Sequence, residues 1–251
     1  MKLREVLDIA LEAGEILLRN GAETYRVEES ITRICSAYGH SCEAIVLPTG
    51  IFLTVYSSEY ESETSVRRIK VRTLDLTKID RINSFSRKIA SVTLSYEEAK
   101  KELEEIKAVK YYPVPIQIIS STAVSFAYAL LFGGSLTDGG IAFVTGGLLY
   151  LLNLFMVKAG YFPFLIYFVN GFSGGFISII SEFIIPGANA YIIIISSIIM
   201  FLPGVAITNG IRDLLASDTI SGLTRLGEAF LTVLALGMGV WIGILTVHYI
   251  I

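Results

Sequence analysis

The side chains best suited to binding a small ion or solute follow a predicted helix break. Pro203 and Gly204 interrupt an apolar run, and Asn209, Arg212 and Asp213 come directly after them. Proline removes a backbone donor and glycine loosens the next turn, so the helix is expected to break and expose backbone groups. A proline kink before an ordinary loop explains the same residues. A guanidinium binds carboxylates through two hydrogen bonds, which makes Arg212 a candidate ligand for a carboxylate solute.

Four further polar residues, Asn153, Asn170, Ser173 and Glu228, lie inside or beside other apolar runs. Polar groups are costly in lipid and usually face the interior of a helix bundle or a pathway. The two amides and the hydroxyl are therefore candidate solute ligands, and Glu228 joins Asp213 as a candidate for proton or cation coupling. Each amide or hydroxyl could instead bridge two helices, and Glu228 could be an interfacial carboxylate.

The distribution of charge divides the chain near Lys110. Of its 20 Lys and Arg residues only Lys158, Arg212 and Arg225 lie beyond that point. A charged side chain at the centre of a bilayer costs at least about 2.5 kcal/mol, so this depletion indicates residence in a membrane. The mean hydropathy of +0.64 is also too high for an ordinary soluble domain. We expect a soluble domain at 1–110 and a membrane domain at 111–251.

Five apolar segments have the length of roughly 20 residues that a bilayer requires. We predict spans at 114–133, 139–157, 162–181, 190–209 and 226–248. The three late cations fall in the gaps after the second and fourth spans, and positive loops stay in the cytoplasm. The pattern predicts a multi-pass protein of the cell membrane, with the N-terminal domain cytoplasmic and the C-terminus outside.

The first 110 residues predict an α+β fold. Two amphipathic helices come first, and Asn20-Gly21 and Gly39 are typical helix stops. Strands at 42–47 and 51–56 flank Pro48-Thr49-Gly50, where Gly50 is expected to take positive φ. A third strand is predicted at 66–71, and two helices follow, the second opening on a capping box at Ser95. Glu5, Asp8, Glu12 and Glu15 leave no apolar core for a secretory signal.

Several functions are disfavoured by what the sequence lacks. No basic face accumulates, so nucleic acid is not an expected partner. Cys35 and Cys42 have no ligand set at metal-binding spacing, so no metal or cofactor is expected, and both cysteines are expected to be reduced structural residues. Gly171 with Gly175, and Gly239 with Gly243, have the spacing that allows close helix contact, and we assign them to packing.

Three separated motifs suggest a family. The segments GAETYRVEESITRI at 21–34, LPTG at 47–50 and PGVAITNGIRDLL at 203–215 together resemble the threonine/serine exporter family of bacterial membrane proteins. The resemblance extends over the whole chain. Full-length members look like a cytosolic domain followed by about ten spans, twice the number predicted here. The chain is therefore similar to the larger subunit of the family's split form.

This resemblance implies a function and partners. Members export small polar metabolites across the inner membrane, driven by an ion gradient: threonine and serine in fused members, and C4 dicarboxylates such as succinate in split ones. A small membrane subunit would supply the missing helices. If a first set of five spans ends outside the cell, a second set of five spans would insert with the opposite orientation. Such a pair is the inverted repeat that secondary transporters use. The resemblance thus implies an oligomeric transporter, not an enzyme.

Two alternatives belong to other classes. The chain could be a membrane-anchored, hydrolase-like enzyme whose soluble domain is active, or a sensor or scaffold subunit. Glu23, Arg26, Glu29 and Arg33 crowd one helix, but no nucleophile with a base and an orienting carboxylate accompanies them, so no catalytic residue is predicted. A solvated helix face joined by ion pairs accounts for the same charges.

Overall fold

The computed structural model describes residues 1–57 and 61–250. The last predicted membrane residue, Ile251, lies outside this part, as do 58–60 of the predicted soluble domain. The described residues form ten helices and one three-stranded sheet. In chain order these elements are α1 Leu3–Arg19, α2 Thr24–Ala37, β1 Ser41–Leu47, β2 Gly50–Tyr56, β3 Ser62–Arg68, α3 Leu76–Ser91, α4 Tyr96–Lys107, α5 Val114–Leu131, α6 Leu136–Lys158, α7 Pro163–Ile184, α8 Ala190–Ile198, α9 Gly204–Leu215 and α10 Thr219–Ile250.

The elements group into two compact units. The first contains Met1–Lys110 together with Val205–Gly227, and the second contains Tyr111–Gly204 together with the chain from Glu228 onward. The division at Lys110 coincides with the change in charge along the sequence. Val205–Gly227, which holds most of α9 and the first turns of α10, belongs with the N-terminal residues.

The first unit has one hydrophobic core, formed by α1 to α4 and the inner face of the sheet. Ile51, Leu53 and Val55 alternate along β2 and are fully buried, as the period of two in a strand requires. Helix α1 ends where Gly21 takes a φ of +92°, and α2 ends before Gly39 at +78°. These two glycine stops are as the sequence predicts, because only glycine adopts this region without strain.

The sheet is antiparallel with the order β1-β2-β3. Leu47 pairs with Gly50, so Pro48 and Thr49 form a two-residue turn. The expectation of positive φ at Gly50 is wrong: Gly50 is the first residue of β2, and a Cβ there would lie 3.0 Å from the Arg67 carbonyl oxygen. The third strand also begins earlier than predicted, at Ser62, because its register is set by pairing with β2.

Four described helices are long and apolar enough to cross a membrane: α5, α6, α7 and α10. The number becomes five if the broken pair Ala190–Phe201 and Gly204–Leu215 counts as one span. The predicted break is present, since a 3-10 turn at Ile199–Phe201 follows α8 and helix resumes only at Gly204. The last helix is longer than the predicted span 226–248 and begins at Thr219. Its first turns are polar, which is why the hydropathy pattern missed them.

In the second unit the two GxxxG motifs face each other across α7 and α10. A Cβ at Gly171 would lie closer than 3.0 Å to the Leu236 carbonyl oxygen, and one at Gly239 would lie closer than 3.0 Å to that of Phe168. The helix backbones are therefore in direct contact. The assignment of these glycines to packing is confirmed.

Candidate functional site

Helix α2 begins without a side-chain cap of its own. Its N-cap residue, Glu23, makes no capping hydrogen bond, so the first backbone N–H groups need another acceptor. Asp213 of α9 supplies it: the Thr24 N–H donates to Oδ1 and the Thr24 hydroxyl donates to Oδ2, both at 3.1 Å. A carboxylate is also favoured there by the positive end of the helix dipole.

Arg225 of α10 neutralises Asp213. Its Nε lies 2.9 Å from Asp213 Oδ2, and both side chains are buried, with 8% and 0% exposed. The same guanidinium donates to the Ala22 carbonyl oxygen at 2.8 Å, and the Asn209 amide donates to that of Gly21 at 2.8 Å. We call these interactions between Gly21–Thr24 and residues 209–225 the α2–α9 contact.

Arg212 borders this contact. Its guanidinium donates to Glu23 Oε1 at 2.6 Å, and half of its side chain is exposed. The predicted residues Asn209, Arg212 and Asp213 are therefore brought together at this contact. Each, however, already has a partner in the chain itself. Asn209 binds a backbone carbonyl, Arg212 binds a carboxylate, and Asp213 binds the N-terminus of α2.

Small residues let α9 and α10 approach each other closely enough to form the contact. A Cβ at Gly222 would lie 2.8 Å from the Gly210 carbonyl oxygen. The turn between the helices includes Ser217, the one described non-glycine residue with positive φ. This tight hairpin presents Asp213 and Arg225 on one side.

Two more carboxylates lie near the α2–α9 contact. Burial raises the pKa of Glu28, and the negative charges of Asp218 and Asp213 raise it further, although the Val46 N–H donates to Glu28 and opposes the shift. Burial and then Asp213 also raise the pKa of Asp218. The contact therefore holds a local excess of negative charge around one buried arginine.

The second unit contains a cavity of about 420 Å³. Its wall is formed by α5 with the residues before it, by α6, and by the 3-10 turn before Pro203. The lining residues are Tyr112, Ile116, Gln117, Ser120, Ser121, Val124, Tyr150, Asn153, Met200 and Phe201. This volume suits a small metabolite.

The cavity is lined by amide, hydroxyl and apolar groups. The Tyr150 hydroxyl donates to Gln117 Oε1, and the Gln117 amide donates to the Tyr112 carbonyl oxygen at 2.5 Å. Ser121 donates to the Gly146 carbonyl oxygen at 3.2 Å and faces Met200. Among the described residues, none that lines the cavity is charged. It can offer several hydrogen bonds without a fixed countercharge.

Of the predicted solute ligands, Asn153 lines the cavity and Asn170 lies at the same level of the bundle. Gly174 of α7 packs on Leu149 of α6. Asn170 lies one turn before Gly174, and Asn153 lies one turn after Leu149, so both amides lie on the same side of this contact. Asn170 is fully buried, and its amide donates to the Ile166 carbonyl oxygen at 2.8 Å. Among the described residues none donates to its Oδ1.

The remaining predicted residues have separate positions. Ser173 is half-buried on α7, and Glu228 is exposed on α10. Pro203 lies in the helix break, two residues after Phe201 of the cavity wall. A Cβ at Gly204 would meet open space, so no close approach requires this glycine.

Sequence reasoning missed Gln117, Ser120, Ser121 and Tyr150. A signal was present, because 117, 120, 121 and 124 follow the i, i+3, i+4, i+7 pattern of one helix face, and 150 and 153 are three apart on the next helix. The residues of the first span that line the cavity therefore share one face.

The charged side chains at the start of α2 and along it form ion pairs, as the interpretation of a helix face joined by ion pairs predicts. Arg33 lies 2.5 Å from Glu29, and Arg26 lies 3.3 Å from Glu23. Such i, i+3 and i, i+4 pairs are common on helices, although Glu23 itself is buried. They give no particular support to an enzymatic soluble domain.

Comparisons with known proteins agree with the three motifs. The sequence model of the family ThrE, described as "Putative threonine/serine exporter", matches residues 8–247. The "Probable threonine/serine exporter" of Mycobacterium tuberculosis is 23% identical, over 96% of this chain and 45% of that protein. The "Threonine/serine exporter" of Corynebacterium glutamicum is 25% identical, over 95% of this chain and 50% of that protein. This chain thus spans about half the length of both exporters.

A third relative is close to this chain in length. The "Probable succinate transporter subunit YjjP" of Klebsiella aerogenes is 22% identical, over 94% of this chain and 92% of that protein. No solved structure matches the chain. The family match covers nearly all of the sequence, including the motifs whose residues meet in the α2–α9 contact. The chain therefore belongs to the threonine/serine exporter (ThrE) family.

Proposed function

We propose that this protein is one subunit of a secondary transporter that exports small polar metabolites across the bacterial inner membrane. The N-terminal domain lies in the cytoplasm, and the cavity between α5, α6 and the helix break is the solute site. Candidate solutes are threonine- or serine-type amino acids and C4 dicarboxylates such as succinate. Asn153, Asn170 and Ser173 on α6 and α7, with the break at Pro203 and Gly204, line the path.

The observation that carries this proposal is the cavity in the apolar helix unit, whose mostly apolar wall carries several hydroxyl and amide groups. Hydroxyl and amide groups in lipid are costly unless they face a partner or a pathway, and here several converge on one space. The lining has no charge, which favours a solute whose own charges cancel. A zwitterionic amino acid meets this condition better than a doubly ionised dicarboxylate.

The lengths of the relatives support a companion subunit. Two named exporters are about twice as long as the matched region, while the relative of matching length is named a transporter subunit. We propose that a small membrane subunit completes this half, and that the two assemble as an oligomer in the bilayer. The five-span count with the broken pair as one span agrees with half of an inverted repeat.

The test is efflux of labelled solute from vesicles containing the full chain, with and without the companion, over serine, threonine and succinate. We expect gradient-driven efflux only when both subunits are present. Asn153→Leu should abolish most of it, because it removes the amide from the cavity. Leu151→Ala, on the exposed side of α6, is the matched control. Efflux unchanged by Asn153→Leu would remove the cavity from the path.

Arg212 has two competing roles that kinetics can separate. If it binds a solute carboxylate, Arg212→Gln should raise the solute concentration for half-maximal efflux, while Glu23→Gln, which frees the guanidinium, should not. If it only holds the α2–α9 contact, the two variants should behave alike, because either one breaks the same ion pair. The contact role is the one its present partner favours.

Ion coupling is proposed for Glu228 and Asp213. Glu228→Gln should then abolish the dependence of efflux on the proton gradient while leaving exchange of solute across the membrane intact. Gradient-driven efflux that survives this substitution would exclude Glu228. Asp213 needs a separate control for stability, because it is also the cap of α2.

A further inference from the structure

The two cysteines of the chain are held side by side in the first unit. Cys35 is on the last full turn of α2 and Cys42 is the second residue of β1. The chain reverses between them through Gly39, and the His40 N–H donates to the Cys35 carbonyl oxygen at 3.1 Å. Cys42 is fixed on its other side by pairing with Val55 of β2. Both backbones are therefore anchored in regular structure.

Both thiols lie where α2 packs against β1, because Cys42 packs on the core cluster that includes Cys35. Cys35 is fully buried and Cys42 is half-buried, so only one of the two is open to a reagent. Thr32, one turn before Cys35 on α2, has its Oγ1 3.9 Å from Cys42 Sγ. The neighbouring Cys35 thiol lowers the pKa of Cys42 to about 7, although burial opposes the shift, and Thr32 adds to the lowering. Cys42 and burial in turn raise the pKa of Cys35.

This arrangement differs from that of two inert structural cysteines. Reactive thiols are accessible and partly ionised, whereas structural ones are buried and protonated. Cys42 has the first set of properties and Cys35 the second, and both lie where β1 packs against the last turns of α2. An accessible attacking thiol next to a resolving thiol is the arrangement of a reversible redox site.

We propose that Cys35 and Cys42 form a dithiol site that a low-molecular-weight disulfide oxidises to an intramolecular disulfide. The inference is independent of the transported solute. It concerns a modification of the soluble domain, at the end of α2 opposite to the α2–α9 contact.

The chemistry balances with such a disulfide, RSSR, as oxidant. The Cys42 thiolate attacks one sulfur of RSSR, which forms a mixed disulfide at Cys42 and releases one thiolate. That step removes the negative charge beside Cys35. Cys35 then loses its proton to water, and its sulfur attacks Cys42 Sγ and expels the second thiolate. Two protein thiols are oxidised, and one RSSR is reduced to two RSH.

The experiment treats the full-length protein in detergent with glutathione disulfide, quenches with acid, and alkylates the remaining thiols under denaturing conditions. Intact mass should show the loss of the two thiol hydrogens and no alkylation, with both thiols restored by dithiothreitol. Cys35→Ser should stop at a persistent glutathione adduct on Cys42. Cys42→Ser should react very slowly, because the remaining thiol is buried. Cys35→Ala repeats the first variant without a buried hydroxyl.

The proposal is overturned if the wild-type protein keeps the glutathione adduct as the Cys35 variants do. Complete alkylation of both thiols after treatment, or disulfides formed only between molecules, would also overturn it. The rate of the first step should rise as pH increases through about 7, the pKa of Cys42, because the thiolate is the nucleophile. A rate independent of pH across that range would show that Cys42 is not the attacking group.

Discussion

Asp213 has two partners at once, the N-terminus of α2 and the guanidinium of Arg225. The carboxylate is fully buried, so its negative charge is tolerable only because both partners are in place. Arg212, the preceding residue on α9, pairs with Glu23, and half of the arginine side chain is exposed. Neighbouring charged residues of one helix therefore contribute very differently to stability.

Asp213→Asn should destabilise the protein by about 3 to 5 kcal/mol, because it leaves Arg225 buried without its countercharge. Arg212→Gln should cost no more than about 1 kcal/mol, because half of the Arg212 side chain is exposed and Arg26 still pairs with the buried Glu23 carboxylate. Equilibrium urea unfolding of the full-length protein, followed by circular dichroism, measures both. Equal losses for the two variants would show that the α2–α9 contact does not depend on burial.

Glu28 predicts a pH dependence of stability. The pKa of Glu28 in the folded state lies above its ordinary value of 4.5, which applies to the unfolded state. At a pH between these two pKa values, the folded state holds a proton that the unfolded state releases. The stability that Glu28 contributes is fully present below pH 4.5 and is lost as pH rises through the folded pKa. Glu28→Gln should therefore raise the melting temperature relative to wild type increasingly toward neutral pH. A constant difference from pH 4.5 to neutrality would contradict this.

The elements are positioned by close backbone contacts at glycine. In the second unit, α7 and α10 touch through Gly171, Gly175, Gly239 and Gly243, and in the first unit α9 and α10 touch through Gly210 and Gly222. Small residues permit such approaches, because any Cβ would force the helices apart. The long helix α10 thus uses glycine faces in both units.

Gly239→Ala should destabilise the helix bundle by about 1 to 3 kcal/mol through overpacking against Phe168. Gly237→Ala is the matched control on the same helix, because a Cβ there meets open space. Alanine favours helix over glycine by up to about 1 kcal/mol, so this control should be neutral or slightly stabilising. Thermal unfolding in detergent separates the two. A Gly237 variant as unstable as the Gly239 variant would refute the packing argument.

The whole molecule combines an α+β fold with apolar helices in one chain. Four helices, or five with the broken pair, satisfy the length and hydropathy of a membrane span. The cations beyond Lys110 lie at or after the ends of the second and fourth predicted spans. This distribution is the basis for placing those loops on the cytoplasmic side.

Topology can be read from three exposed positions at or just beyond helix ends. In a Cys42→Ser background, Leu131→Cys and Pro186→Cys should react with a membrane-impermeant maleimide added to intact cells, whereas Ala159→Cys should not. Ala159 follows Lys158 and is expected inside, while the loops at 131 and 186 contain no cation. Labelling of Ala159→Cys from outside would reverse the proposed orientation.

The sequence by itself determined the class of the protein and most of its elements. Hydropathy, glycine stops and the capping box at Ser95 are local signals, and the structure follows them: α1 stops just before Asn20-Gly21, the hairpin turns at Pro48-Thr49, and the helix breaks at Pro203. Such features depend on the nearest few residues. Local energetics therefore makes them predictable.

Only the tertiary structure decided which distant residues meet. Thr24 and Asp213 are 189 positions apart, and nothing in their local sequence shows that one caps the helix of the other. The cavity likewise joins α5, α6 and the turn before Pro203, and its polar face on α5 was visible only as a helical stripe without a known partner. Contacts of this kind depend on how the helices pack, because each partner satisfies a charge or a hydrogen bond that its own segment leaves open.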